Sequence, residues 1–259
     1  KRNLFRWISL GGIRTYLISM NLLRKYASKL NIEITDDQLN SFQLYSDQLI
    51  IWNSKFNITR IIDPEEIQIK HFLDSITLCK FIPDPIPEPL SLIDIGSGGG
   101  FPGIPLKIMF PNIEITLLEA TKKKCDFLSH ICKELNLNNI QVIHNRSEEL
   151  SHDDDFRNQF DIVTSRALAP TSTLVELTAG LCRIGGNIIA WKSINSSNLS
   201  DAERVLQTLT SKPTQGMIRE HLVTVPEIQF DQCLVQITKE HDIASTYPRQ
   251  NGIPKKRPL

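Results

Sequence analysis

Residues 92–108 read LIDIGSGGGFPGIPLKI: an apolar run carrying Asp94, then Gly96, Gly98, Gly99 and Gly100, then Phe101 and Pro102. Glycines at the end of a strand let the backbone turn sharply and approach a ligand closely, although a tight turn alone also needs them. A dinucleotide loop of the Gly-x-Gly-x-x-Gly kind requires Gly or Ala at position 101, where a helix packs close to the pyrophosphate. Phe101-Pro102 blocks that approach. A ligand without a pyrophosphate is favoured, with Phe101 as an apolar wall. The next apolar run closes on Leu118-Glu119. An acid about 20 residues beyond the loop is placed for the ribose hydroxyls of a nucleoside; alone, it reads equally well as a surface glutamate. Ser147 and Glu148 follow a third apolar run, where they could meet an adenine edge, or Ser147 could simply cap a turn. Arg166 ends a fourth, facing the same crevice as a functional cation or as half of a structural salt bridge.

The elements that must position these residues alternate. The pattern predicts strands over 90–95, 114–119, 140–144, 160–164 and 187–191, and helices over 105–110, 122–136, 174–181 and 202–210. A closing strand pair is predicted over 221–225 and 233–239. Such alternation with short connections implies a mostly parallel sheet covered on both faces, with ligands bound outside the carboxyl ends of its strands. Upstream, 36–56 and 63–82 carry apolar residues at helical spacing, with Thr35 and Asp63 as caps and Pro64 at the first helical position. Between this helical segment and the sheet lies PDPIPEP, 83–89, which cannot form a helix and reads as a linker. The expected division is an extension at 1–19, a helical cap and linker at 20–88, and the sheet domain at 89–259. His71 and Asp74, one turn apart on the second helix, read as a helix-surface hydrogen bond in preference to a catalytic pair.

Lys+Arg and Asp+Glu are each 29, so net charge recommends no partner, but the distribution does. From Lys1 to Asn31 there are seven basic residues and no acid, and the tail carries Arg249, Lys255, Lys256 and Arg257, again without an acid. Basic ends on a neutral chain suit a polyanion, or are solvated faces. Five widely spaced cysteines without a Cys-x-x-Cys pair argue against a disulfide framework or a zinc site and fit a reducing compartment. No apolar run approaches the ~20 residues of a membrane span. Residues 1–19 are basic and acid-free, as in a transit peptide, a surface-binding helix or an upstream-start extension before Met20.

An acid–Gly-x-Gly loop with a second-strand acid resembles the site of S-adenosylmethionine-dependent methyltransferases. FNITRIIDPEEIQIKHFLDSI, LIDIGSGGGFPGIPLKI, FDIVTSRALAP and the tail YPRQNGIPKKRPL together resemble the ribosomal RNA small subunit methyltransferase G family, also called glucose-inhibited division protein B. The likeness runs from about Met20 to the end. It implies a class I, Rossmann-like α/β fold: a mostly parallel seven-stranded sheet with helices on both faces and an N-terminal helical extension. The implied activity is methyl transfer from S-adenosylmethionine to N7 of a guanine in the 530 loop of 16S ribosomal RNA, by a cytoplasmic monomer. By motif, Asp94, Gly96, Gly98 and Phe101 would line the cofactor pocket, and Glu119, Ala120 and Thr121 its ribose side. Ser147 and Glu148 would meet the adenine, and Arg166 would lie at the cofactor or the target guanine as the catalytic residue. The basic extension and the proline-rich connector depart from the family pattern without touching the pocket.

The chemistry agrees with the absences. Guanine N7 has a free lone pair and a sulfonium is an excellent leaving group, so catalysis rests on alignment at about 3 Å. Such a site needs no nucleophile, base or metal, and no Ser-His pair, Asn/Asp-Pro-Pro-aromatic motif, Pro-Cys pair or metal-ligand cluster is evident. Because A-form RNA hides N7 in its deep groove, the target should be unpaired or splayed out. Backbone affinity would come from Lys122, Lys123 and Lys124 and from Arg249, Lys255, Lys256 and Arg257. The open alternatives are a same-fold methyltransferase for another RNA, a protein or a small molecule, and a catalytically silent RNA-binding protein. A nicotinamide oxidoreductase is disfavoured by Phe101-Pro102.

Overall fold

The computed structural model describes residues 7–10, 13–16, 19–86, 89–166, 168–193, 199–225, 228 and 232–259. Where the surface helix considered above would lie, the described residues form strands: β1 (Trp7–Leu10) and β2 (Ile13–Tyr16) pair antiparallel as a separate two-stranded ribbon. The main sheet holds β3 (Ser91–Ile95), β4 (Glu114–Glu119), β5 (Ile140–His144), β6 (Phe160–Arg166), β7 (Cys182–Ser193), β8 (Ile218–Leu222) and β9 (Gln232–Thr238). Their order is β5-β4-β3-β6-β7-β9-β8, with β9 antiparallel to both β7 and β8 and the other pairs parallel. Seven strands in this order match the expected α/β class. Strand order reverses between β3 and β6, where an open α/β sheet forms its binding crevice. Asp94 and Arg166 lie on these two strands.

The predicted caps are the observed ones. After α1 (Asn21–Lys29), α2 (Asp36–Asn53) starts on a capping box: Thr35 Oγ1 accepts from the Gln38 amide at 3.2 Å, and Gln38 Oε1 accepts from the Thr35 amide at 2.9 Å. The next helix, α3, starts at Pro64–Glu66 with the Asp63 carboxylate accepting from the Glu65 and Glu66 amides. It widens into a π-helix over Ile67–Leu73 and returns to α geometry over Asp74–Ile76. Within the π segment Gln68, fully buried, accepts from the amides of Leu22 and Leu23 at 3.1 Å and so anchors the start of α1. Such π segments are frequent at functional sites.

The expected boundary at 83–89 is a connection in the chain and not a break in packing; residues 87 and 88 of it lie outside the described residues. Phe42, Tyr45, Leu49 and Phe72 of the helical segment belong to one apolar cluster with Leu92, Phe101, Ile104 and Leu117 of the sheet half. The Phe72 ring lies 4.9 Å from Phe42, 5.3 Å from Tyr45 and 6.2 Å from Phe101. The opposite face of the sheet is covered by α7 (Thr171–Ala179) and α8 (Leu199–Thr210), which bury Leu174, Val175, Val205 and Leu206 against Val163 and Ile188. Helical cap and sheet should therefore unfold together. Phe72→Ala is expected to cost about 3–5 kcal/mol, with coincident urea transitions by Trp fluorescence and far-UV circular dichroism; two separated transitions would instead mean independent domains.

Candidate functional site

The glycine loop is built around two carboxylates. Asp94, wholly buried, accepts from the Gly103 amide at 3.1 Å through Oδ2, while its Oδ1 has no hydrogen-bond partner. Burial pushes its carboxyl up to about 7. Glu119 accepts from the Gly98 amide at 3.0 Å and from the Thr121 amide at 2.8 Å, tying the loop to the end of β4. The close approach of helix to sheet occurs at Gly103, on α4 (Gly103–Met109): a Cβ there would stand 2.4 Å from Leu117 Cδ2. Gly96 holds φ +71°, and a Cβ on it would stand 2.9 Å from Leu168 Cδ1. Phe101 is buried, stacked on His71 at 4.2 Å and on Tyr45 at 5.4 Å, and is not among the residues that line the cleft beside Gly96.

The cleft beside Gly96 is lined by Ala120, Ser147, Glu148, Leu168 and, from the tail, Lys255. Ser147 and Glu148 open α6 (Ser147–Leu150) and are both buried. Ser147 does not cap it; its hydroxyl donates to Glu148 Oε2 at 3.3 Å. Glu148 Oε1 accepts from the Gly252 amide at 3.1 Å, so the residue expected at the adenine also anchors the tail. Thr121 is exposed; its amide donates to Glu119 Oε1 at 2.8 Å, and its carbonyl accepts from the Lys124 and Cys125 amides.

At the other side of the switch point, Arg166 meets α3. The helix-surface pairing expected of His71 and Asp74 is overturned: both are 5% exposed, and both turn to Arg166. Arg166 Nη2 donates to His71 Nδ1 at 2.8 Å, and Nη1 lies 3.4 Å from Asp74 Oδ2 as an ion pair without a hydrogen bond. Burial, then the Arg166 charge, push His71 down to about 3, so the ring is neutral. Since arginine only donates, Nδ1 accepts, and the proton sits on Nε2, which donates to Thr59 Oγ1 at 2.9 Å. Burial pushes Asp74 up to about 6 against the opposing pull of Arg166. The sequence held a partial signal for this burial: Ile67, Ile69, Phe72, Leu73 and Ile76 spread apolar side chains around much of the helix, leaving little polar surface beside His71 and Asp74. Lys192 carried no such signal. It follows Trp191, the β7 residue paired with Arg166, donates to the Ala169 carbonyl, and is pushed down to about 8 by burial.

The family model for rRNA small subunit methyltransferase G matches residues 38–221. The chain belongs to that family. Proteins named ribosomal RNA small subunit methyltransferase G are similar over nearly all of it. The one from Acetivibrio thermocellus is 37% identical over 238 residues, covering 92% of this chain and 96% of its own. The one from Dehalococcoides mccartyi BAV1 is 39% identical over 240 residues, covering 93% and 100%. Among solved structures, magnesium protoporphyrin IX methyltransferase from Synechocystis with bound S-adenosylmethionine aligns with a TM-score of 0.53 at 13% identity, covering 80% of this chain and 98% of that one. That likeness is one of fold.

The residues of this family member fit S-adenosylmethionine. A buried acceptor without a partner, Asp94 Oδ1, and a cradle that a Cβ on Gly96 would fill adjoin the Glu119–Ala120 end of β4. The expected RNA-binding cations divide into groups. Lys123 and Lys124 line a groove with Lys55 and Phe56, whereas Lys122 pairs with Asp126 at 3.0 Å on α5 (Lys122–Glu134). In the tail Lys255, Lys256 and Arg257 are exposed. Arg249 is not free for phosphate: its Nη2 and Nε donate to the buried Glu176 carboxylate at 2.7 and 2.9 Å, fastening the tail to α7. Among the described residues no group of His, Cys, Asp or Glu is arranged to hold a metal, and no helix is long and apolar enough to cross a membrane.

Two measurements test this site. Gly96→Val is expected to fold yet bind S-adenosylhomocysteine at least about 100-fold more weakly by calorimetry, since its side chain enters Leu168 at a φ that valine disfavours; unchanged affinity would place the cofactor elsewhere. Asp94 has a folded pKa of about 7, above the unfolded value, so it stabilises most below the unfolded pKa and loses that contribution as pH rises toward 7. Asp94→Asn should therefore remove a fall in stability of up to about 1.4 kcal/mol per pH unit between roughly pH 4 and 7, read by urea titration. An identical pH slope in the two proteins would refute it.

Proposed function

We propose that the chain transfers a methyl group from S-adenosylmethionine to N7 of a guanine in the 530 loop of 16S rRNA, acting as a cytoplasmic monomer. The observation that carries this reading is Arg166. It is a nearly buried donor beside the glycine loop, at the switch point of a chain that belongs to the small subunit methyltransferase G family. The cofactor supplies an electrophilic methyl on a sulfonium. Asp94, Gly96, Glu119 and Ala120 bind and orient it, with Ser147 and Glu148 closing the adenine side.

In the transfer the N7–carbon bond forms as the carbon–sulfur bond breaks, and no proton needs to leave the guanine. The protein's work is alignment. The guanine edge presents O6 beside N7. The Arg166 guanidinium, whose side chain keeps 14% of its surface exposed, is a donor that suits O6 and leaves the N7 lone pair free for attack. Methylation makes the base cationic, which would be opposed by a bare guanidinium. Pairing with Asp74 gives Arg166 a donor's geometry with its charge largely balanced. Lys123, Lys124, Lys255, Lys256 and Arg257 hold the RNA backbone.

Labelled methyl transfer to 30S subunits, followed by nuclease mapping, is expected to place the label on one guanine. The Arg166→Met/Asp74→Asn double variant leaves no buried carboxylate unpaired. Its turnover should fall about 100-fold or more while S-adenosylhomocysteine affinity is kept. Transfer to no RNA would sink the reading, and transfer to a protein would move it to the same-fold alternative.

A further inference from the structure

Arg166 is held by a chain of contacts that begins in the cap. Asn53, at the end of α2, accepts through Oδ1 from the amides of Ile58 and Thr59 at 2.8 and 2.9 Å, fixing the loop. Thr59 Oγ1 accepts from the Ile61 amide at 3.1 Å and from His71 Nε2, and His71 Nδ1 accepts from Arg166. The His71 ring is clamped on Phe101 at 4.2 Å with 17° between planes, and the Arg166 guanidinium lies over the same Phe101 ring at 5.6 Å. Trp191 Nε1 donates to the Asp74 carbonyl at 3.3 Å, tying the end of this helix to β7 beside Arg166.

We propose that His71 is a positioning residue for methyl transfer: its Nδ1 accepts from Arg166 Nη2 and so fixes the guanidinium, paired on its other side with Asp74, in the orientation that meets the target guanine. The inference rests on the function proposed above. An acceptor is required because a guanidinium with a single ion pair swings about its long side chain. A neutral acceptor is required because a second cation here would oppose a base that becomes cationic. A carboxylate would leave the cluster anionic and compete for both Nη groups. Imidazole, with its proton committed to Thr59, meets these needs and also stacks on Phe101.

Two substitutions separate the acceptor from the packing. His71→Phe keeps a ring on Phe101 and removes the acceptor; His71→Asn loses the ring and keeps a carbonyl close to the Nδ1 position. For H71F we expect kcat on 30S subunits to fall about 10- to 100-fold, as for one lost charge-assisted hydrogen bond. Its KM for RNA and affinity for S-adenosylhomocysteine should stay within about threefold of wild type. H71N should recover kcat to within about threefold, although it packs less well. Wild-type turnover in H71F, or an H71N as slow as H71F, would overturn the role. Where H71F does not fold, Thr59→Val carries the test by removing the acceptor that fixes the tautomer: a lower kcat supports the role, and an unchanged kcat overturns it. A wild-type protein without transfer would instead overturn the proposed function, which equal turnover of wild type and H71F would leave standing.

Discussion

A guanidinium with only 14% of its side chain exposed, at the carboxyl end of a central strand, is the constraint on which the rest of the crevice depends. Charge that far from water is tolerated only when it is paired and hydrogen-bonded. The sheet alone does not supply these partners, because the ends of parallel strands offer backbone and loops. They come from α3: Asp74 gives the countercharge and His71 the acceptor. For α3 to reach Arg166 it must cross the end of the sheet, and that is why the cap shares an apolar cluster with β3 and β4 through Phe72, Phe101 and Leu117. The helical segment is part of the wall of the proposed site.

Phe101 shows how one side chain serves two arguments. Its bulk at position 101 occupies the place a dinucleotide loop gives to Gly or Ala, and its ring packs among the aromatic side chains of the cap. The ring turns inward because the cap offers it aromatic faces, Tyr45 and His71, that a solvent-facing crevice cannot. The loop's approach to the ligand is left to Gly96, and the close packing of helix on strand is moved to Gly103. The fingerprint glycine is displaced two positions along the chain, and the room it would have opened is filled by an aromatic ring.

What was legible in the sequence was local. Caps, the glycine loop and the alternation of strand and helix depend on residues a few positions apart, and Thr35, Asp63 and the carboxyl-end placement of Glu119 and Arg166 follow from them. The rest depends on partners brought together by the fold. His71 and Arg166 are 95 positions apart, Glu148 and Gly252 are 104 apart, and Glu176 and Arg249 are 73 apart. Nothing in the spacing of a basic tail distinguishes Arg249, which neutralises a buried glutamate, from Lys256, which stands in solvent. Whether a pair one turn apart on a helix lies at the surface or in the interior is likewise set by what the fold packs against that helix.

The tail carries this logic to the opposite side of the crevice. Glu148 sits where an adenine edge is expected, yet one of its oxygens already holds the Gly252 amide, and Lys255 lines the same cleft. Three residues before Gly252, Arg249 is locked to Glu176 on the far face of the sheet. The exposed cations Lys256 and Arg257 follow immediately. A segment fastened at both Glu176 and Glu148 holds those cations at a fixed distance from the adenine side, as the cap holds Arg166 at a fixed distance from the loop. In the function proposed, the cap and the tail flank the switch point, so RNA gripped by the tail and a guanine met by Arg166 would share one frame. That frame is what alignment without acid, base or nucleophile requires.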